Sequence, residues 1–437
     1  MVRYDTSNPP GNERGCANYL KSLLEEAGIS CELIGASPDR ANLIARLPGQ
    51  GNAPPLLLQG HLDVVPAPAA GWRHPPFEGA IVDGYLWARG SLDMKSGIAM
   101  MGSALVRTKS EGLSPPGDVV LALVADEEAG GDGGARYLVE RHPERFEGVR
   151  YAIGEFGGFT FHLGERRFYP IMVAEKQICR LRVTAKGASG HGSLFQQDNP
   201  MGTMGRFLQT IQTRDLPTHI TPVTRMMFQA IGKRLPMASR AGIGALLRPA
   251  LTDRALRLMG AKGRTFNPLF RNTVNATVVR GGDQVNVVPR EVTAELDGRI
   301  LPGFGPDDLV SEIRAIAGPE VDIEVTHFDE GPRTPNMGLF QTLAGVLLEE
   351  DDGAAPVPML MPASTDGRLF AKLDIQTYGF LPMRLPKGFD FAETIHGSDE
   401  RIPVEAIRFG AEAIYKLLQR FGYGPQPVSD DRFYVDG

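Results

Sequence analysis

The sequence predicts an α/β protein in two domains, the second inserted into the first. Two continuous apolar runs, Leu56–Val65 (LLLQGHLDVV) and Asp118–Ala125 (DVVLALVA), read as strands buried on both faces, as in a mainly parallel sheet. Segments of helical spacing alternate with them, which gives a sheet flanked by helices. From about Lys176 the pattern changes to half-exposed strands in the order strand-helix-strand-strand-helix-strand, the ferredoxin-like plan. The expected ranges are 1–176 and 332–437 for the first domain and 177–331 for the inserted α+β domain, the latter interrupted by a helical pair at about 221–263.

In chain order, the rigid turn Asn8-Pro9-Pro10-Gly11 precedes a helix in which Ala17, Leu20, Leu23 and Leu24 recur at helical spacing up to Gly28. Ser30–Ile34 and Arg40–Leu47 read as strands, and the Leu56–Val65 strand ends in His61 and Asp63. Residues two apart on a strand point the same way, so the Asp63 carboxylate can support the His61 imidazole. Asp93 falls in a loop before the apolar helix Ile98–Val106, where backbone N–H groups keep a carboxylate ionised and suited to bridging metals. The Asp118–Ala125 strand runs into Asp126-Glu127-Glu128, and Tyr151–Ile153 delivers Glu155 among glycines. Consecutive carboxylates at the end of a buried strand repel one another unless a cation is present.

In the inserted domain, Ile178–Ala185, Thr273–Val279, Glu291–Arg299 and Val321–Thr326 are the expected strands. The helices are Pro200–Thr213 and Asp307–Ala317, and a glycine-rich loop at 187–193 carries His191. The chain re-enters the first domain through the helix Leu339–Glu349, a short strand at Met359–Met361, the turn Pro362–Arg368 and the helix Leu369–Leu373. A strand at Ile375–Phe380, the loop containing His396 and a closing helix from Pro403 to about Phe421 complete it.

Composition excludes several classes. The chain has 437 residues and a formal net charge of −6, with no basic patch, so no nucleic-acid partner is expected. No apolar run approaches the roughly 20 residues of a membrane span, no secretory signal opens the chain, and no membrane partner is expected. Cys16, Cys31 and Cys179 are an odd number without metal-site spacing, consistent with reduced thiols in the cytoplasm. Any metal must then be held by histidine and carboxylate.

Five candidate ligands converge by predicted position on one sheet edge: His61, Asp93, Glu128, Glu155 and His396. Two imidazoles and three carboxylates suit two Zn²⁺ ions sharing one carboxylate, with Co²⁺ or Mn²⁺ as substitutes. Glu127, beside a ligand and without a structural duty, is free to take a proton from water activated by the metals. Each residue alone has a plainer reading: a strand-end histidine, a helix N-cap, a solvated acidic turn. Five at one edge outweigh those readings.

The motifs GHLDVVP, ARGSLDMKSG, DEEAGGDGG, GEFGG, GHGS and HGSDERIP resemble, in order and approximate spacing, the dinuclear-zinc aminoacylase and carboxypeptidase family. That resemblance implies a zinc-exopeptidase-type catalytic domain with an inserted lid and dimerisation domain, and a homodimer formed through the insertion. It implies one zinc on His61 and Glu155, the other on Glu128 and His396, with Asp93 bridging, Asp63 orienting His61 and Glu127 as general base. It nominates His191 as donor to the oxyanion, and Asn286 and Arg299 as substrate contacts. Arg368 in the STDGR turn is the expected partner of a substrate carboxylate, since a planar guanidinium grips carboxylates by two hydrogen bonds. The expected activity is hydrolysis of an amide or peptide bond beside a free carboxylate, in an N-acyl amino acid or short peptide. The helical insertion and STDGR turn look closest to the carboxypeptidase S-like branch.

The sequence departs from the family in two places. Only Met1–Tyr4 precede the DTSNPPG turn where relatives carry a helix, which suggests a truncated or mis-started N-terminus, and Phe156 beside Glu155 makes the substrate pocket more apolar. His74, His142, His162, His219 and His327 lack motif context and read as structural or surface residues. A two-metal phosphoesterase is one alternative and would need clustered cations, of which the sequence offers mainly Arg368 and Lys95. A non-catalytic binding protein of the same fold is the other, and it predicts a lost ligand or base, whereas all five ligands and Glu127 are present.

Overall fold

The computed structural model describes residues 1–422, so the last part of the expected catalytic range, 423–437, lies outside the described residues. The chain divides into two compact units. The first comprises Met1–Val173, Asn336–Met359 and the chain from Thr365 onward, and the second Ala174–Pro335 with Leu360–Ser364.

The first unit is built on a mixed sheet whose centre is parallel. Leu56–His61 lies between Val119–Val124 and Tyr151–Gly154, and Gln376–Gly379 continues the parallel run beside Tyr151–Gly154. Ser30–Ile34 and Asn42–Leu47 extend one side antiparallel. Arg166–Glu175 and Ala354–Met361 extend the other. Every residue of Leu56–His61 and Val119–Val124 is buried, as a sheet covered on both faces demands. Alternation divides the second of these strands between two cores. Val120, Ala122 and Val124 pack with Leu138 and Val139 of the helix Ala135–Arg141 and with Leu369 and Phe370. The opposite face is covered by the helices Arg14–Glu26 and Lys95–Ser110, the latter packed on Val404–Arg420.

A small three-stranded sheet explains how residues some 300 positions apart in sequence meet. Arg401–Pro403 pairs antiparallel with Tyr85–Trp87, which pairs with Ala80–Val82. Ala80–Val82 and Tyr85–Trp87 form a hairpin turned at Asp83-Gly84, where both residues have positive φ. Ala88 N–H donates to Glu400 O at 3.0 Å, placing the loop after His396 against the loop before Asp93.

In the second unit, the strands Gln177–Lys186, Thr273–Arg280, Glu291–Ile300 and Asp322–Phe328 form one antiparallel sheet, ordered second, third, first, fourth. The alternating burial of Gln177–Lys186 and Glu291–Ile300 turns Leu181, Val183, Ala294 and Leu296 toward the helices Pro200–Thr213 and Pro306–Ala317. The helical insertion differs from the expected pair. It contains Pro222–Arg234, Met237–Leu246, Pro249–Leu258 and Ala261–Phe266, followed by a 3-10 turn at Asn267–Leu269. Pro236 and Pro249 divide what periodicity alone reads as continuous, because proline cannot donate within a helix and disfavours helical geometry before it. Arg166–Glu175, a ten-residue strand, is an element that the pattern reading passed over.

Candidate metal centre

Neighbouring strands end at one edge and each delivers part of one acidic cluster. His61 closes its strand opposite Val124, Glu155 follows Gly154 directly, and Glu127–Ala129 form a short 3-10 turn just beyond Val124. His61 Nε2 lies 2.9 Å from Asp93 Oδ1 and 3.3 Å from Glu155 Oε2. His396 Nε2 lies 3.0 Å from Asp93 Oδ2 and 3.3 Å from Glu128 Oε1. Asp93 thus presents one oxygen to each side of the cluster, and the donor atoms within each trio lie within 4.8 Å of one another.

The donor set fits a pair of divalent cations. Glu155 Oε2 and Glu128 Oε1 are buried without a hydrogen-bond partner among the described residues, although an imidazole stands at ion-pair distance from each. Buried acceptors crowded without donors are what a cation satisfies. The ionisation pattern has the same origin. Burial opposes charge on Asp93, yet hydrogen bonds from His396 and His61 hold its carboxyl below the usual range. Burial, reinforced by Asp93, pushes Glu155 up to about 8, and burial with the nearby Glu155 raises Glu127 well above an ordinary glutamate. Hydrogen bonds to Asp93 and then Glu128 raise His396 to about 10. Positive charge is in demand at this edge.

Residues behind the cluster hold it in place. His61 Nδ1 is 3.0 Å from the Asp63 carbonyl oxygen and 3.4 Å from its carboxylate, so the backbone contact is the closer of the two. The Asp63 carboxylate accepts from the backbone N–H groups of Glu127 and Glu128, each at 3.1 Å, and from Asn8 Nδ2 at 2.8 Å. Asn8 also donates to Asp126 at 3.0 Å, and Arg40 bridges Asp126 to Glu13. Asp126 therefore points away from the cluster into this network. On the other side, Glu400 accepts from Leu92 N–H at 2.7 Å, from Asp93 N–H at 3.2 Å and from Arg89 at 2.6 Å, while Arg89 also donates to His396 O at 3.1 Å. One buried ion pair thus fastens the Asp93 loop to the His396 loop. Asn8, Arg89 and Glu400 all lie within the quoted motifs or the first turn, but a search for ligands alone passes over them.

Four non-glycine residues in the left-handed region mark the same turns: Asp126 (φ 72°), Phe156 (φ 56°), His396 (φ 59°) and Asp399 (φ 63°). Each costs of the order of 1 kcal/mol or more, and such strain is retained where the surroundings fix a functional geometry.

Arg368 requires a correction. It is 4% exposed and donates to Thr365 O at 2.7 Å and Gly130 O at 2.8 Å, so it anchors the turn after Glu128 instead of presenting an open fork to a substrate. Asp93 likewise is no N-cap: the helix starts at Lys95, with Met94 before it. The remaining nominated residues belong to the second unit. His191 is exposed and hydrogen-bonded to Ser193 Oγ at 2.8 Å. Gly190–His191 pairs with Val287–Val288, and Gly192 N–H donates to Asn286 O at 2.8 Å, so His191 and Asn286 share one ribbon. Arg299 pairs with Asp297 at 3.0 Å and donates to Ser364 Oγ at 3.2 Å. Among the other histidines, His219 pairs with Glu312 and His327 with Asp329.

Comparison with known proteins agrees with this geometry. The family model described as "Peptidase family M20/M25/M40" matches residues 57–420. "Probable carboxypeptidase S-like 2" of Dictyostelium discoideum is 27% identical over 84% of this chain and 71% of its own. The human "N-fatty-acyl-amino acid synthase/hydrolase PM20D1" is 29% identical over 87% and 77%, and mouse "Aminoacylase-1" 27% over 97% and 94%. Among solved structures, the M20 family metallo-carboxypeptidase Sso-CP2 of Sulfolobus solfataricus superimposes with a TM-score of 0.68 at 17% identity, covering 95% of this chain and 96% of that one. The Bacillus subtilis YXEP protein, described as a dinuclear metal binding peptidase, gives 0.57 at 15% identity, covering 96% and 95%. With strand-end ligands in two trios and the family model spanning most of its length, the chain belongs to peptidase family M20/M25/M40 and is a metal-dependent hydrolase of peptide or amide bonds.

Proposed function

We propose that the protein hydrolyses an amide or peptide bond next to a free carboxylate, as a carboxypeptidase, dipeptidase or N-acyl-amino-acid deacylase, with two zinc ions. The observation that carries this reading is the pair of histidine-carboxylate trios joined through Asp93, with the spare carboxylate Glu127 adjoining one of the ligands. His61, Glu155 and Asp93 would hold one ion, and His396, Glu128 and Asp93 the other. Bound there, such ions lower the pKa of water and polarise a carbonyl. Glu127 accepts the proton of the attacking water and passes it to the leaving nitrogen, so that the C–N bond breaks to give a carboxylic acid and a free amine. Asp63 fixes both the ring of His61 and the backbone of the Glu127-Glu128 turn. His191 donates to the oxyanion, and Asn286 and Arg299 contact the substrate, with Arg299 in the carboxylate-binding role first assigned to Arg368.

An aromatic group beside the centre favours apolar substrates. Phe156 follows Glu155 and meets Phe391 edge-on at 6.3 Å, while Phe159 stacks on Phe391 at 4.2 Å. The similarity to carboxypeptidase S-like and N-fatty-acyl-amino acid enzymes supports the same preference. A homodimer through the second unit is in keeping with its edge strand Thr273–Arg280, where Val278 and Val279 are exposed. The free thiols of Cys16, Cys31 and Cys179 suit a reducing compartment such as the cytoplasm. The phosphoesterase alternative is supported less, because the two cations it would call on are engaged in the scaffold: Lys95 Nζ donates to Tyr4 O at 2.8 Å and Arg368 to backbone carbonyls.

The test is a release assay over N-acyl amino acids and dipeptides, with and without chelator. Chelator-sensitive hydrolysis that is lost when the substrate carboxylate is amidated is expected. Equal turnover of the amidated substrates, or turnover indifferent to chelation, would contradict the reading.

A further inference from the structure

A strongly basic segment lies in the helical insertion and contains none of the nominated site residues. Residues 222–266 carry nine lysines and arginines and a single acid, Asp253, a net charge of +8 in a chain whose total is −6. Asp253 is itself neutralised by Arg271, whose guanidinium is buried outside the segment and lies 2.5 Å away. Among the described residues no carboxylate forms an ion pair with Arg225, Arg240, Arg248, Arg254, Arg257 or Lys262, all of them exposed. The whole-chain charge, which argues against an acidic partner, averages this segment with a remainder at −14.

Large aliphatic side chains stand among these cations. Met237 is 84% exposed, Leu258 80% and Leu251 39%. On Met237–Leu246, Met237 and Arg240 share a face at i, i+3; on Pro249–Leu258, so do Leu251, Arg254 and Leu258 at i, i+3, i+7. The opposite side of the second of these helices buries Thr252 and Leu256, and the two helices pack together. The insertion is anchored from below by Phe228, which packs against Phe266 and Phe270. It is therefore a folded platform whose outward face is basic and aliphatic.

We propose that this face docks peripherally on the surface of an anionic phospholipid bilayer. Basic residues meet the headgroup charge while Met237, Leu251 and Leu258 enter the headgroup and acyl boundary, the chemistry of interfacial helices. No helix among the described residues is long and apolar enough to cross a membrane, so the association is with the surface alone. Two other occupants fit less well. A second copy seated on the same face would bring +8 against +8. A nucleic acid would find the cations but no apolar phase for Met237, Leu251 and Leu258 to enter, and a single strand would find no stacking platform, because the aromatic residues of the segment, Phe228 and Phe266, are both buried.

Cosedimentation of the full chain with vesicles tests this without reference to hydrolysis. Binding is expected to phosphatidylcholine vesicles carrying about 30% phosphatidylserine but not to phosphatidylcholine alone, with release as salt rises from about 0.1 M to about 0.5 M. The triple reversal Arg240→Glu, Arg254→Glu, Arg257→Glu should weaken binding by at least about tenfold. Met237→Ser with Leu258→Ser should weaken it while leaving the salt dependence. If the triple variant melts at lower temperature than the wild type, the single reversals Arg254→Glu and Arg257→Glu carry the test, each with a loss of about threefold or more. The proposal is overturned by absence of binding to the anionic vesicles, by equal binding to neutral ones, or by binding that the reversals leave unchanged. It is also overturned if duplex DNA is retained more tightly at the same salt, or if the reversals instead abolish self-association.

Discussion

Asp63 shows how much of the centre rests on a residue that touches neither substrate nor metal. Its carboxylate receives the backbone N–H groups of Glu127 and Glu128 as well as the Asn8 amide, so one side chain ties the His61 strand end to the acidic turn. Glu127, on that turn, has its proton affinity raised by burial and by Glu155. Glu127→Gln preserves shape and removes the base, so kcat should fall by about 10² or more while metal content is unchanged. Metal analysis beside steady-state rates checks this, and undiminished turnover would remove Glu127 from the base role. At this scale the sequence was legible wherever the residue type itself bears the chemistry: His61, Asp93, Glu128, Glu155 and His396 stand together as strand ends and loop positions suggested. The surroundings of Arg368 are not legible in the same way, because a guanidinium open to a substrate and one buried against the Thr365 and Gly130 carbonyls have the same letter, and only burial separates them.

Among the elements, the small sheet formed by Arg401–Pro403 and Tyr85–Trp87 has the greatest consequence, because it lets Glu400 reach the backbone of Leu92 and Asp93. Glu400→Gln leaves Arg89 buried without its ion-pair partner and loosens both the Asp93 and His396 loops. Metal affinity should drop by about 10- to 100-fold, read by competition with a chromogenic chelator, and an unchanged affinity would show the pair to be merely structural. In the second unit, Lys176 is fully buried and donates to Arg271 O and Thr273 Oγ1, each at 2.9 Å. Burial, with the charges of Arg299 and Arg271, pushes its pKa down to about 7. An unfolded lysine titrates at about 10.4, so between these values the unfolded chain holds a proton that the folded chain has released, and stability rises with pH. Relative to Lys176→Met, the wild type should gain in Tm from about pH 7 to about pH 9, and a constant or shrinking difference would contradict the burial account. The elements with strong periodicity, such as Leu56–His61, Val119–Val124 and Gln177–Lys186, were legible in advance. The helical insertion was read as two helices because prolines were weighed less than apolar spacing, and Arg401–Pro403 is too short to show any period.

For the molecule as a whole, sequence order conveyed the insertion of one α+β unit into an α/β unit, since the change from buried runs to alternating strands is a change of period. Net charge was a poorer guide, because a single total conceals a +8 segment in an acidic chain. A dimer through the second unit, with His191 acting on the centre of the other copy, predicts complementation. His191→Ala chains mixed with Glu127→Ala chains should regain part of the lost activity, and no recovery after verified subunit exchange would exclude that arrangement. The central claim is that Asp93 joins two cation sites, one completed by His61 and Glu155 and the other by Glu128 and His396. Titrating chelator-stripped protein with Zn²⁺ while following hydrolysis of an N-acyl amino acid tests it most directly. Activity that rises to a plateau at two equivalents per chain, with His396→Ala retaining one, is the predicted result; a plateau at one equivalent, or full activity in the stripped protein, would contradict it.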